Sequence, residues 1–230
     1  MQAEYNSVRT WDREYTELHS IPSSTRKLPS KALCIAEPLV PITPGAWVLD
    51  AGCGNGRNSV YLGERGHHVI GIDFSSAALT ASEELARQSF AADRLTFERA
   101  DLFRRFPFED NRFDLCLDSY VSCHFIDQQR FEAYWRELTR VTKPGAFIFT
   151  SMFSTDDEYY SRLLGRPSSS PLVTDPINNV TKRLYDEATF KSLFLPPLKV
   201  VYFVKFQFSD IVLDKSYTRS IFVSLMKKLT

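Results

Sequence analysis

Val48-Leu49-Asp50-Ala51-Gly52-Cys53-Gly54-Asn55-Gly56-Arg57-Asn58 is the stretch whose reading decides the fold. The short apolar run from Trp47 to Leu49 predicts a buried strand. An acid closes it, and three glycines follow at alternate positions. Ser59 to Glu64 then continues at helical spacing. Strand, glycine turn and helix form the layout of a nucleotide-binding crevice. Glycine permits the tight turn and lets a ligand approach the backbone. The first turn of the helix presents N–H groups with no partner inside the helix.

The spacing separates two kinds of crevice. Dinucleotide folds seat a pyrophosphate with G-x-G-x-x-G. Here the pattern is G-x-G-x-G, and Arg57 stands where the later glycine would fall. Asp50, two residues ahead of Gly52, suits a ligand with a positive end better than a pyrophosphate. The run resembles motif I of class I S-adenosylmethionine-dependent methyltransferases. From Gly52 to Leu62 it is most similar to the tellurite-resistance and thiopurine branch of that superfamily. A plain turn between strand and helix would read the same way, so the rest of the chain decides.

A second buried strand, read over Gly66 to Asp73, ends in Asp73, 21 residues past Gly52. A carboxylate at that distance can accept from both ribose hydroxyls. The resemblance makes Asp73 the ribose-binding acid, with Phe74 beside it. A third strand, Leu95 to Glu98, leads to Asp101-Leu102. In the superfamily an acid there faces the adenine amino group, and its neighbour packs on the ring. A carboxylate can accept from that amine. The fourth strand, Phe113 to Leu117, follows a "PF-x-x-x-x-FD" approach and ends at Asp118-Ser119-Tyr120. Ligands of open parallel sheets lie beyond the carboxyl ends of the strands. Asp118, Ser119, Tyr120 and the following Val121-Ser122-Cys123-His124 are therefore expected to face the crevice. A helix through Phe131, Trp135 and Leu138 precedes a fifth strand, Ala146 to Met152. Two β-rich segments, 199–208 and 217–225, are close enough for a terminal antiparallel hairpin. The expected fold is thus α/β: a three-layer, Rossmann-like, seven-stranded sheet, mostly parallel, closed by that hairpin.

Two regions lie outside this alternation. Residues 1–45 hold helical stretches at Tyr5–Leu18 and Ser30–Ala36, joined by a turn-rich link from Ile21 to Pro29. Trp11, Tyr15 and Leu18 share a helix face. They serve as core packing or as a lid over the site. Residues 46–230 are read as the main domain, interrupted at about 154–185 by a polar run with Pro167, Pro171 and Pro176. A structureless run of that length is usually a lid or disordered.

The remaining sequence narrows the function. Basic and acidic residues balance at 28 each, which argues against a nucleic-acid partner. No run reaches the ~18 apolar residues that a membrane span requires. Met1 to Tyr5 has no secretory pattern, so a cytoplasmic protein is expected. Cys34, Cys53, Cys116 and Cys123 show neither metal nor disulfide spacing.

The resemblance implies S-adenosylmethionine as cofactor, S-adenosylhomocysteine as product and no metal. The implied cofactor residues are Asp50, Gly52, Cys53, Gly54, Asn58, Asp73, Phe74, Asp101, Leu102, Asp118 and Ser119. His124 is the candidate base, with Tyr120 beside it, because its ordinary pKa suits proton removal near neutrality. Tyr15, Tyr159, Tyr160 and Arg183 are candidate substrate contacts. The reading is methyl transfer to O, N or S of a small molecule. Alternatives are an RNA or protein methyltransferase, a module that binds the cofactor without catalysis, and a nicotinamide dehydrogenase. The absent third glycine, Asp101 and the hairpin count against the last.

Overall fold

The computed structural model describes residues 7–164, 171–212 and 214–230. Helix α1 (Val8–Arg13) is capped by Ser7, whose Oγ accepts from the Thr10 amide at 3.3 Å. It runs into a π-helical turn, Glu14–Leu18. The expected start of this helix at Tyr5 lies outside the described residues. Glu14 is fully buried and accepts from the Ile21 amide at 2.6 Å and from Ser20 Oγ and Ser24 Oγ, both at 2.8 Å. That one carboxylate folds the predicted link back as a short helix, α2 (Pro22–Thr25). Helix α3 (Lys31–Ala36) follows, capped by Ser30.

The alternating part then runs β1 (Trp47–Ala51), α4 (Arg57–Glu64), β2 (His68–Asp73), α5 (Ser76–Arg87), β3 (Leu95–Arg99), β4 (Phe113–Ser119), α6 (Gln128–Val141) and β5 (Thr142–Phe153). Next come α7 (Glu158–Leu164), β6 (Leu172–Thr174), β7 (Thr181–Arg183), α8 (Glu187–Ser192), β8 (Leu198–Val212) and β9 (Lys215–Lys228). The main sheet has seven strands in the order β3-β2-β1-β4-β5-β9-β8. β3 to β5 pair in parallel, and β9 runs antiparallel to both β5 and β8. This is the expected sheet, with its terminal hairpin.

Neighbouring residues of a strand point to opposite faces, so each strand feeds two cores. Leu49, Ile70, Cys116 and Ile148 join Phe131, Tyr134 and Leu138 of α6 on one face. Val48, Val69, Leu115 and Phe149 join Ala32 and Leu33 of α3 and Leu62 of α4 on the other. Helices on both faces make the three layers.

The run after β5 differs from its expected structureless form. It holds α7 and the small antiparallel ribbon β6–β7, with a buried cluster of its own that includes Tyr159, Tyr160, Val173 and Leu184. Asp157 anchors it: its fully buried carboxylate accepts from Arg219 Nε at 2.8 Å and from the Ser220 amide at 3.1 Å. Elements this short are held by tertiary contacts rather than by propensity. Pro167 of this run lies outside the described residues. No helix among the described residues is long and apolar enough to cross a membrane.

Candidate active site

A cavity of about 460 Å³ lies beyond the carboxyl ends of β1, β2 and β4. The glycine turn forms one wall. Gly52, Gly54 and Gly56 all take left-handed backbone angles, φ +70°, +57° and +76°. Space is as restrictive as conformation there. A Cβ on Gly52 would lie 2.5 Å from Val121, and one on Gly54 would lie 2.3 Å from the Tyr15 hydroxyl. Cys53 and Asn58 line the same wall. Asn58 also ties the turn to the N-terminal segment, because its Oδ1 accepts from the Ser30 amide at 2.9 Å.

Asp73 ends β2 at the cavity wall. Its Oδ2 accepts from the Gly54 amide at 3.0 Å and its Oδ1 from the Ser75 amide at 2.9 Å. Burial pushes its carboxyl up to about 6, against the opposing effect of these amides. Phe74 and Leu102 line the cavity beside it. Asp101 stays at the rim, outside the lining. Its carboxylate accepts from the Phe103 amide at 2.9 Å and pairs with Arg104 at 3.2 Å.

Two acids expected at the crevice lie beneath it. Asp50 is buried under the glycine turn, where Oδ2 accepts from Ser59 Oγ at 2.6 Å. Burial first, and the Asp73 charge to a lesser degree, push it up to about 6. Asp118 is expected to face the crevice, but its side chain points into the core. It accepts from the Ser122 amide at 2.8 Å, Ser122 Oγ at 2.5 Å, Thr150 Oγ1 at 2.6 Å and Tyr134 OH at 3.2 Å. Alternation explains the difference, since Ser119, the next residue of β4, takes the cavity side. The Asp118 bonds fix the turn that delivers Tyr120, Val121 and His124 to the cavity, whereas Ser122 and Cys123, also expected there, are buried outside its lining because Ser122 turns to Asp118 and Cys123 packs into the core. Tyr120 holds φ +62°, a position costly for a bulky side chain.

His124 lines the cavity with its ring edge-on to Trp11, centroids 4.9 Å apart. Burial, aided by the Lys182 charge, holds its imidazole well below the usual histidine range. It is therefore neutral at physiological pH.

The far half is aromatic and cationic. Tyr120 packs on Phe153 at 4.9 Å, and Phe153 meets Tyr160 edge-on at 4.8 Å. Of the tyrosine pair on α7, Tyr160 lines the cavity, whereas Tyr159 donates to Asp175 at 2.9 Å behind the wall. The basic pair on β7 divides in the same way. Lys182 reaches the cavity, and Arg183 turns away to donate to the Ile126 carbonyl at 2.7 Å. Among the described residues, Arg26, Lys31, Arg57, Lys182 and Arg219 line the cavity against two carboxylates, Asp73 and Asp210. Sequence reading passes over Arg26, Lys31, Lys182, Asp210 and Arg219. Only Arg57, inside the glycine run, carries a local signal.

The N-terminal segment forms the roof. Trp11, Tyr15, Arg26 and Ser30 line the cavity from above. Asp12 accepts from Ser75 Oγ at 2.6 Å, which fixes α1 to the start of α5.

Comparison with known proteins fits this geometry. A family model described as a methyltransferase domain matches residues 48–145. The chain is 36% identical over 110 residues to a 2-heptyl-1-hydroxyquinolin-4(1H)-one methyltransferase of Mycobacteroides abscessus, covering 46% of this chain and 45% of that one. It thus spans less than half the length of that relative. An uncharacterized methyltransferase of Schizosaccharomyces pombe is 32% identical over 137 residues, covering 59% of this chain and 90% of the relative. The fold is shared with a Burkholderia thailandensis 1,6-didemethyltoxoflavin-N1-methyltransferase whose structure has its substrate and S-adenosylhomocysteine bound. There the TM-score is 0.69 at 18% identity, covering 97% of this chain and 88% of that one.

Proposed function

This chain belongs to the class I S-adenosylmethionine-dependent methyltransferases, and from that premise we propose that it transfers a methyl group to O, N or S of a small molecule. The observation that carries the reading is the joint between Asp73 and the glycine turn. A carboxylate at the end of β2 accepts from the Gly54 amide, at a wall where no side chain can replace the glycine hydrogens. That cradle fits S-adenosylmethionine. Asp73 would take the ribose hydroxyls, the backbone of Gly52 to Gly54 the amino-acid end, and Phe74 and Leu102 the adenine. The likeness to tellurite-resistance and thiopurine-type members rests on the run from Gly52 to Leu62 alone.

The bound cofactor supplies a sulfonium-activated methyl group, which an acceptor lone pair displaces in line as the C–S electron pair returns to sulfur. The protein's own part is to orient the acceptor and keep water out. We assign the roof, the cavity-lining part of the N-terminal segment from Trp11 to Lys31, to that exclusion. A roof closed over a cavity of about 460 Å³ suits a small acceptor rather than a folded RNA. Named relatives act on compounds of that size: a heptyl-hydroxyquinolone in one and a didemethyltoxoflavin in another. Neutral His124 would take the proton of an acceptor that arrives protonated.

Calorimetric titration with S-adenosylhomocysteine tests the cofactor reading. The expected result is one-to-one binding that Asp73→Ala and Gly54→Val each abolish. A folded wild-type protein that binds none overturns it.

A further inference from the structure

The half of the cavity away from Asp73 carries more positive charge than its neighbours neutralise. Arg219 is 4% exposed and lines the cavity. Its Nε is taken by Asp157 at 2.8 Å, and its Nη1 stands 3.9 Å from Asp210. Its buried Nη2 has no hydrogen-bond partner. Asp210 is already engaged by both terminal nitrogens of Arg26. Lys182 is 3% exposed, with Nζ set 5.0 Å above the Tyr160 ring. Arg219 and Lys182 are thus buried together with Asp157 and Asp210 as their nearby carboxylates, and the part-exposed Arg26 already takes most of Asp210. Buried charge is tolerated only when it is paired, and among the described residues Lys182 and the Arg219 Nη2 lack a counter-charge.

The cofactor does not supply it. A sulfonium and an ammonium against one carboxylate leave S-adenosylmethionine with a net positive charge. The missing anion must come with the acceptor. A flat, apolar body suits the rest of the lining, where Tyr120, Phe153 and Tyr160 pack on one another in the same cavity.

We propose that the acceptor is an aromatic organic acid, whose anionic oxygen group is held by Arg219 and Lys182 while its ring lies against Tyr120 and Phe153. This deepens the methyltransferase reading and rests on it for the role of the bound acid. β9 brings Arg219 to the site, and its pairing with Asp157 on the loop before α7 holds it there.

The test is calorimetric binding of 1-naphthoate and 1-naphthamide to the full chain, with and without saturating S-adenosylhomocysteine. The acid is expected to bind at least tenfold more tightly than the amide. Lys182→Met, which leaves the Arg219–Asp157 pair intact, is expected to cut that preference at least fivefold. Arg219→Met combined with Asp157→Asn removes the second cation without stranding a buried carboxylate and is expected to abolish it. Equal affinity for acid and amide, no binding of either, or a preference unchanged in both variants overturns the proposal. S-adenosylhomocysteine binding in the same cell reads the cofactor separately. Acid preference without it supports the anion site and rejects the methyl donor. Cofactor binding without acid preference rejects the anion site alone.

Discussion

Arg26 grips Asp210 through two parallel hydrogen bonds, 2.7 Å from Nη2 to Oδ1 and 3.1 Å from Nη1 to Oδ2, across 184 residues of sequence. The fork joins the roof to the end of the β8–β9 hairpin. The Arg26 side chain is 39% exposed, which limits such a pair to about 1 kcal/mol. The roof keeps other ties, including the Asn55 Nδ2 bond to the Arg26 carbonyl at 2.9 Å. Arg26→Ala is therefore expected to speed release of S-adenosylhomocysteine by about two- to fivefold, the equivalent of that energy. Stopped-flow displacement measures it. An unchanged release rate would mean that the fork does not gate the cavity.

The raised carboxyl of Asp73 gives cofactor binding a pH dependence of definite sign. With the group pushed up to about 6, it is protonated below that pH and ionised above it. Only the ionised form offers both oxygens as acceptors to the ribose hydroxyls while keeping the Gly54 and Ser75 amide bonds. Affinity for S-adenosylhomocysteine is expected to be level above about pH 6 and to fall as pH drops, approaching about tenfold per unit. Asp50 is also pushed up to about 6 but stays behind the wall. Asp50→Asn should keep the falling limb, and Asp73→Asn should flatten it at low affinity. Titrations at pH 5 to 8 separate the two.

Gly54→Ala meets two obstacles with different remedies. At φ +57° an alanine costs about 1–2 kcal/mol in backbone alone. Its Cβ would also stand 2.3 Å from the Tyr15 hydroxyl, so the roof must shift. The expected result is at least tenfold weaker cofactor binding and a lower melting temperature. Adding Tyr15→Phe removes the clashing oxygen and should recover part of the affinity but little of the stability, because the φ cost remains. Full recovery of both would show that the backbone angle imposes no cost.

The cofactor half of the site was readable because local sequence builds it. Glycine spacing, Asp73 and Leu102 each sit at the end of a strand whose apolar run marks it. The acceptor half is assembled by register. Whether Lys182 or Arg183 faces inward depends on which side of a three-residue strand the cavity lies, and composition alone favours neither. Arg219 reaches the site because β9 pairs with β5, placing Ile221 opposite Phe153. No spacing within residues 215–228 signals that. Asp118 shows the same limit in reverse. Its position at a strand end was legible, but the direction of its side chain depends on parity along β4. The short elements of residues 154–185 escaped because Asp157, Tyr159 and Tyr160 find their partners far along the chain.

His124 is where packing and chemistry make different predictions. Its ring rests against Trp11 in the roof, and burial holds its imidazole neutral far below the ordinary range. A base with that environment is fully available from pH 6.5 upward. The acidic limb of turnover, if His124 takes the acceptor proton, must then lie well below the usual histidine pKa. In wild type, turnover at saturating cofactor is expected to stay level between pH 6.5 and 9. His124→Ala should lower it about 10²–10⁴-fold, the range for losing a general base, while S-adenosylhomocysteine affinity changes less than threefold. A purely structural histidine gives a different pattern. Removing its ring would loosen Trp11 and the roof, so melting temperature and cofactor affinity would drop together and turnover would fall less than tenfold. His124→Gln, which restores bulk and polarity without a basic nitrogen, separates the cases. It should keep cofactor affinity at the wild-type level without rescuing turnover. Recovery of turnover by glutamine would remove His124 from the chemistry and leave it as a support for Trp11.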